Sequence, residues 1–186
     1  MTCDLAIDAL VARINSRDRE PHWLDDAPAL VRVSGGAYPP PGGPDLTDWR
    51  IVAADNTARI SALEHRLQRL FPPSFRSLIC RYSFPAFEFG PIEFFSNTGE
   101  ALSSELEVAL FADRVMSPQL LSAGYLQIGR PWSGVYDPIC IEAQPHGIEG
   151  RVVEFCHEGL LCNDELVVLR ELAPSFLDLV CEELAT

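Results

Sequence analysis

The sequence predicts an α+β fold: a single domain with a mostly antiparallel central sheet flanked by helices, plus an N-terminal helical arm and a Pro/Gly-rich linker. Three observations predict it. Apolar residues recur at helical spacing in several separate windows, and short alternating or aromatic stretches cluster between residues 86 and 156. The order is helix pair, strands, helices, meander, helix, which lacks the strict strand–helix alternation of a doubly wound sheet. Finally, 186 residues with 47% hydrophobic and 22% charged side chains suit one self-sufficient core. A chain of that length buries about 70% of its surface on folding, so wholesale disorder is excluded.

Taken in order, residues 4–14 place Ile7, Leu10, Val11 and Ile14 on one helical face. Leu30-Val31-Arg32-Val33 reads as a short strand, and residues 34–44, SGGAYPPPGGP, read as a loop or linker stiffened by proline and loosened by glycine. These features divide the chain into an arm and linker at 1–49 and a main domain at 50–186. The linker is not a phosphate cradle, because no strand–loop–helix context and no Lys-Ser/Thr pair accompany its glycines.

In the main domain, Asp55-Asn56-Thr57 supplies N-cap chemistry for a helix carrying Ile60, Leu63, Leu67 and Leu70. Phe71-Pro72-Pro73 ends it and seeds a second helix, whose Phe75, Leu78, Ile79 and Tyr82 form one apolar face. Residues 86–89 and 92–95 read as strands around Gly90-Pro91, and residues 104–113 as a helix. Ser117 and Pro118 are placed as N-cap and first-turn residues of a further short helix. Strands are then predicted at 125–129, 138–143 and 151–156, with a glycine-bearing connection that favours antiparallel pairing, and another at 166–169. A closing helix has Pro174 in its first turn, Leu172 positioned as a staple to Leu177, and Phe176, Leu179, Val180 and Leu184 inward.

The formal net charge is −13, and every one of the fourteen basic residues is arginine. Residues 1–99 hold 12 acids and 10 arginines, net −2; residues 100–186 hold 15 acids and 4 arginines, net −11. Such a balance argues against wrapping nucleic acid, whose phosphates draw on clustered cations. It suits attraction of a basic partner. No signal-like leader and no apolar run long enough for a membrane span is evident, and the six cysteines show no C-x-x-C pair. The expectation is a cytoplasmic protein with reduced, mostly buried thiols.

Four fragments resemble the SUKH superfamily. Leu70-Phe71-Pro72-Pro73 with the helix to Tyr82 is similar to its early helical motif. Tyr125–Gly129 followed by Trp132–Ile141, with Gly134 and Asp137 opening the second strand, resembles its central strand pair. Glu154–Cys162 resembles its acidic-His-Glu strand end, and Leu172–Leu179 its closing helix. The match covers residues 50–186 in the right order, with Ser83-Phe84-Pro85 replacing the usual glycine-rich tip. The resemblance implies a domain that works by binding other proteins. Many bacterial members are immunity proteins that neutralise a toxin, and fungal relatives are largely non-enzymatic regulators.

The resulting expectation is a non-catalytic binding domain, an immunity protein for a cognate toxin encoded nearby, needing no cofactor and binding neither nucleic acid nor membrane. Its contact surface is expected at Trp132, Tyr136, Asp137, Glu142, Glu154, Glu158, Asp164 and Glu165. Trp and Tyr are preferred hot-spot types, and the carboxylates lie on the meander or just beyond it. Two alternatives stand beside this: a regulatory adaptor with no toxin, and a hydrolase. The hydrolase would use Cys156, His157 and Cys162 as metal ligands, a cysteine with His146 or His157 as a nucleophile pair, or Asp137 and Glu158 as acid and base.

Overall fold

The computed structural model describes residues 2–16, 22–23, 46–47, 49–98, 104–143 and 146–186. The expected strand at 30–33 and the linker at 34–44 lie outside these residues. Along the chain come α1 (Cys3–Ser16), β1 (His22–Trp23), β2 (Leu46–Thr47), β3 (Val52–Ala53), α2 (Thr57–Leu67), α3 (Pro73–Arg81) and β4 (Tyr82–Ser83). Next are β5 (Phe87–Phe89), β6 (Ile92–Phe94), α4 (Glu105–Phe111), α5 (Met116–Ser122), β7 (Tyr125–Pro131) and β8 (Ile139–Glu142). The chain finishes with β9 (Val152–Phe155), α6 (His157–Asn163), β10 (Val168–Ala173) and α7 (Phe176–Ala185).

The main sheet is antiparallel throughout, in the order β10-β9-β8-β7-β6-β5; β1 with β2 and β3 with β4 form small separate ladders. Side-chain alternation assigns its two faces. Phe87, Phe89, Ile92, Phe94, Leu126, Ile128, Ile139, Ile141 and Val152 face the larger core, formed with α1, α3 and α7. Tyr125, Cys140, Val153 and Phe155 point the other way, against Met116 and Leu120 of α5 and Leu160 of α6. The strands of the meander are therefore covered on both faces. Each fully buried Phe or Leu in such a core contributes about 1.5–3 kcal/mol.

Helix α1 belongs to this core: Ala6, Ile7, Leu10, Val11 and Ile14 are buried together with Trp49 and Ile51. Arg13 donates to the carbonyls of Glu183 and Leu184, supplying a cation where α7 ends without one of its own. The first helix of the arm and the main domain thus form one hydrophobic unit.

Local expectations at helix ends are revised in three places. α5 starts at Met116, so Ser117 and Pro118 sit inside its first turn; Asp113 instead accepts from the Val115 and Met116 amides. α7 starts at Phe176 with Ser175 as N-cap, its hydroxyl accepting from the Asp178 amide, and Pro174 precedes the cap. The stretch Glu154–Cys162, read as a strand end, leaves the sheet after Phe155 and becomes the helix α6 from His157, and the last strand begins at Val168 instead of Leu166. Glycine is required at Gly129 because a Cβ there would collide with the Glu93 carbonyl oxygen, at the point where β7 and β8 slip register.

The C-terminus of α3 is closed by two asparagines. Asn56 donates to the carbonyls of Ile79 and Tyr82, at 3.1 and 3.0 Å. Asn97, fully buried, donates to Tyr82 O at 2.8 Å and accepts from the Phe84 amide at 2.9 Å. These bonds satisfy backbone groups that a helix end leaves open. Asn97→Ala is expected to lower stability by roughly 1–3 kcal/mol, since the buried Phe84 amide loses its acceptor while the Tyr82 carbonyl keeps Asn56 as its donor. Urea unfolding followed by far-UV circular dichroism measures it, and an unchanged midpoint would show that the cap is dispensable.

Candidate functional site

The loop between β7 and β8 is shaped by a glycine and a carboxylate. Gly134 has φ +78°, where L side chains are strained, and its amide returns to the Pro131 carbonyl at 3.1 Å. The Asp137 carboxylate then folds across to α6: one oxygen accepts from the His157 amide at 2.8 Å and lies 2.6 Å from His157 Nδ1. Asp137 acts as a distant cap on the first turn of α6, in the place where the local N-cap, Cys156, makes no side-chain bond. The loop is pinned between the sheet and the helix. Its tip presents Trp132 at 62% exposure and Tyr136 at 72%, with Val135 between them. Tyr136 also lines a cleft of about 460 Å³ with Phe95, Met116, Gln127 and Arg130, and its ring centroid lies 6.5 Å from that of His157.

Of the expected carboxylates, Glu158 is exposed in the first turn of α6, and Asp164 and Glu165 are exposed just after it. Asp164 takes a left-handed conformation that ends α6 and accepts from Gln119 of α5 at 3.1 Å; the same Gln119 amide group donates to Leu160 O. Among the described residues neither Glu158 nor Glu165 has an ion-pair partner. Trp132, Tyr136, Asp137, Glu158, Asp164 and Glu165 therefore flank one end of the sheet.

Two expected residues stand apart. Glu142 lies at the opposite end of the strands, paired with Tyr125 in register and bonded to Arg151 at 3.1 Å, which also reaches Glu171 and the Tyr125 hydroxyl. The hydrogen bond that Arg151 donates to the Glu142 carboxylate raises the guanidinium pKa above its ordinary value. Glu154 is only 7% exposed and bonds to Arg170 Nε across the β9–β10 ladder. The expectation of a presented Glu154 carboxylate is corrected: cross-strand pairing neutralises it inside the sheet. The cleft residues Phe95, Met116, Gln127 and Arg130 are not among the residues expected from sequence; the polar Gln127 within the strand Tyr125–Gly129 is the one sequence feature that points toward them.

The catalytic alternatives can be set against the same geometry. The His157 ring bonds to Asp137, and among the described residues no hydroxyl or thiol hydrogen-bonds to it. Cys156 precedes α6 and Cys162 lies near its end. Among the described residues no three His, Cys, Asp or Glu side chains are grouped to hold a metal. His146 lines a separate cleft of about 940 Å³ with His65, Arg69 and Ser122, which includes none of the eight expected contact residues. No described helix is long and apolar enough to cross a membrane. All six cysteines are free, and burial pushes the Cys140 thiol well above its usual range.

Comparison of the chain with protein-family models, with curated proteins and with solved structures finds no match.

Two outcomes follow from this geometry. Asp137→Ala is expected to cost roughly 1–2 kcal/mol and to speed amide exchange at the start of α6, whereas Trp132→Ala stays within about 0.5 kcal/mol; hydrogen exchange and thermal melting distinguish them. At pH 8, a thiol reagent should modify exposed Cys162 first and reach Cys140 only on unfolding, because a raised pKa and burial both withhold its thiolate. Mass spectrometry of the labelled protein checks the order.

Proposed function

We propose that this chain is a non-catalytic protein-binding domain of SUKH type, which neutralises a cognate toxin by direct binding in the cytoplasm of the cell that makes it. The observation that carries the reading is the pinned loop. Two large aromatic side chains, Trp132 and Tyr136, are held in solvent by the Asp137–His157 contact, beside the unpaired Glu158. Exposed Trp and Tyr on a fixed backbone lose little entropy on binding and supply large contact area, which is the chemistry of hot spots. Folding neutralises many of the acids through ion pairs, leaving Glu158, Asp164 and Glu165 around the loop to steer a cationic partner. The cleft under Tyr136 offers a pocket for one partner side chain.

The test is titration calorimetry of the purified chain against the protein encoded by the adjacent reading frame. A tight complex is expected, weakened at least about 10-fold by raising NaCl from roughly 50 to 300 mM, as screening of opposite potentials requires. Trp132→Ala should weaken it by a further factor of about 10 or more, equivalent to at least ~1.4 kcal/mol, while Glu182→Arg on α7 should not. No binding at either salt concentration would overturn the reading.

A further inference from the structure

Acids outnumber arginines by 27 to 14 in this chain, so an arginine without a carboxylate partner is informative. Among the described residues, the side chains of Arg50, Arg69 and Arg114 make no hydrogen bond, ion pair or ring contact. Arg50 and Arg114 are exposed, whereas Arg69 is half-buried. A charge drawn out of water is ordinarily paired. Arg69 lines the cleft of about 940 Å³ at the end of the sheet opposite the Trp132 loop, and its Nη1 lies 3.6 Å from where a Cβ on Gly124 would stand. It follows the C-cap of α2, where a cation offsets the helix dipole. That end is already closed, because the Gln68 and Arg69 amides bond to the His65 and Glu64 carbonyls. The guanidinium is left for the cleft.

The other charged groups around it favour an anion. Glu64 is the one carboxylate among the lining residues, and it accepts from Arg76 Nε at 3.0 and 3.1 Å and from the Phe71 amide. Glu142 and Glu149, on either side of His146 in sequence, are bonded to Arg151 and to Ser74. His65 of α2 and His146 of the β8–β9 connection line the same cleft, and neither ring has a hydrogen-bond partner among the described residues. Ser61 accepts from Arg76 and keeps its own proton to donate. His146 holds φ +73°, a conformation uncommon outside glycine, and Gly147 beside it, at φ +65°, packs against Leu70. Such strain persists where a fixed side-chain position is retained for use.

We propose that this cleft binds a small organic phosphate monoester, with the phosphate on Arg69, His65 and His146 and the organic body against Leu67, Leu70 and Leu121. The volume lies within the roughly 300–1,000 Å³ of small-molecule sites. A guanidinium offers two parallel N–H groups to an oxyanion, and an imidazole offers at least one in either protonation state. With Ser61 the cleft musters roughly five donors, more than the roughly four lone-pair sites of a carboxylate. A phosphate monoester, with three strong acceptor oxygens and a second negative charge, uses them better. The net charge of −13 opposes any anion, but at about 0.1 M salt charges beyond roughly 10 Å are screened, and the cleft's own uncompensated charge is positive.

Titration of the isotope-labelled full chain with phenyl phosphate, followed by two-dimensional amide NMR, reads the site directly. Signals of the cleft residues should shift saturably, with a Kd on the order of 1 mM. Arg69→Gln should weaken binding about 10-fold or more, whereas Arg114→Gln, at an exposed arginine, should leave it unchanged. His146→Gly separates binding from folding. Glycine accepts φ +73° without strain, so the melting temperature should hold or rise while binding weakens about 3-fold or more. Benzoate should bind more weakly than phenyl phosphate, and uncharged benzyl alcohol should give no saturable shift. No saturation by about 20 mM phenyl phosphate, benzoate or benzyl alcohol binding as tightly, or full affinity in Arg69→Gln or His146→Gly would each overturn the proposal. The cleft includes neither Trp132 nor Tyr136, so these results are independent of the proposed toxin binding.

Discussion

The structure depends on one constraint: the strands β7, β8 and β9 must be buried on both faces. Ile139 and Ile141 face one core while Cys140 between them faces the other, and all three are fully buried. An antiparallel sheet can leave one face to solvent, and then alternation reads apolar–polar. Here the second face is apolar too, so α5 and α6 have to cover it. With both faces occupied, solvent-facing chemistry is displaced to the ends of the strands and to the outer edge.

That displacement explains the site. The loop from Trp132 to Pro138 is an end of the sheet, and α6 is needed there to cover Phe155 and Cys140. The first turn of α6 requires hydrogen-bond acceptors, and Asp137 supplies one from across the loop. A structural requirement of the second core thus fixes the position of two exposed aromatic residues. The distribution of charge follows the same logic. Carboxylates on or beside strands find arginines across a ladder, as Glu93 does with Arg130 and Glu154 with Arg170, whereas those around the short helix α6 do not.

Much of this was legible beforehand, and the failures have physical reasons. The periodicities of α1, α3 and α7 and the alternation in β5, β6, β8 and β9 are strong because each element buries an apolar face. α6 was missed because seven residues make barely two turns, its inward set is reduced to Gly159 and Leu160, and its cap comes from residue 137, twenty positions away. The starts of α5 and α7 were misplaced by one or two residues because proline marks a helix beginning without fixing which residue caps it. Glu154 was expected at the surface because its alternation with Val153 and Phe155 reads as an outward polar position; the partner that buries it, Arg170, sits on a strand whose pairing the sequence does not state.

By itself the sequence determined the class of fold, the element order, the antiparallel meander and the acidic bias of the second half. These depend on spacing along the chain and on composition, which are local properties. Only the tertiary structure decided that α1 lies in the main core, that Asp137 holds His157, which carboxylates are neutralised, and that Leu166–Leu169 form an uncovered edge. Each of those depends on which distant groups come within contact distance, and contact distance between remote residues is set by packing, not by periodicity.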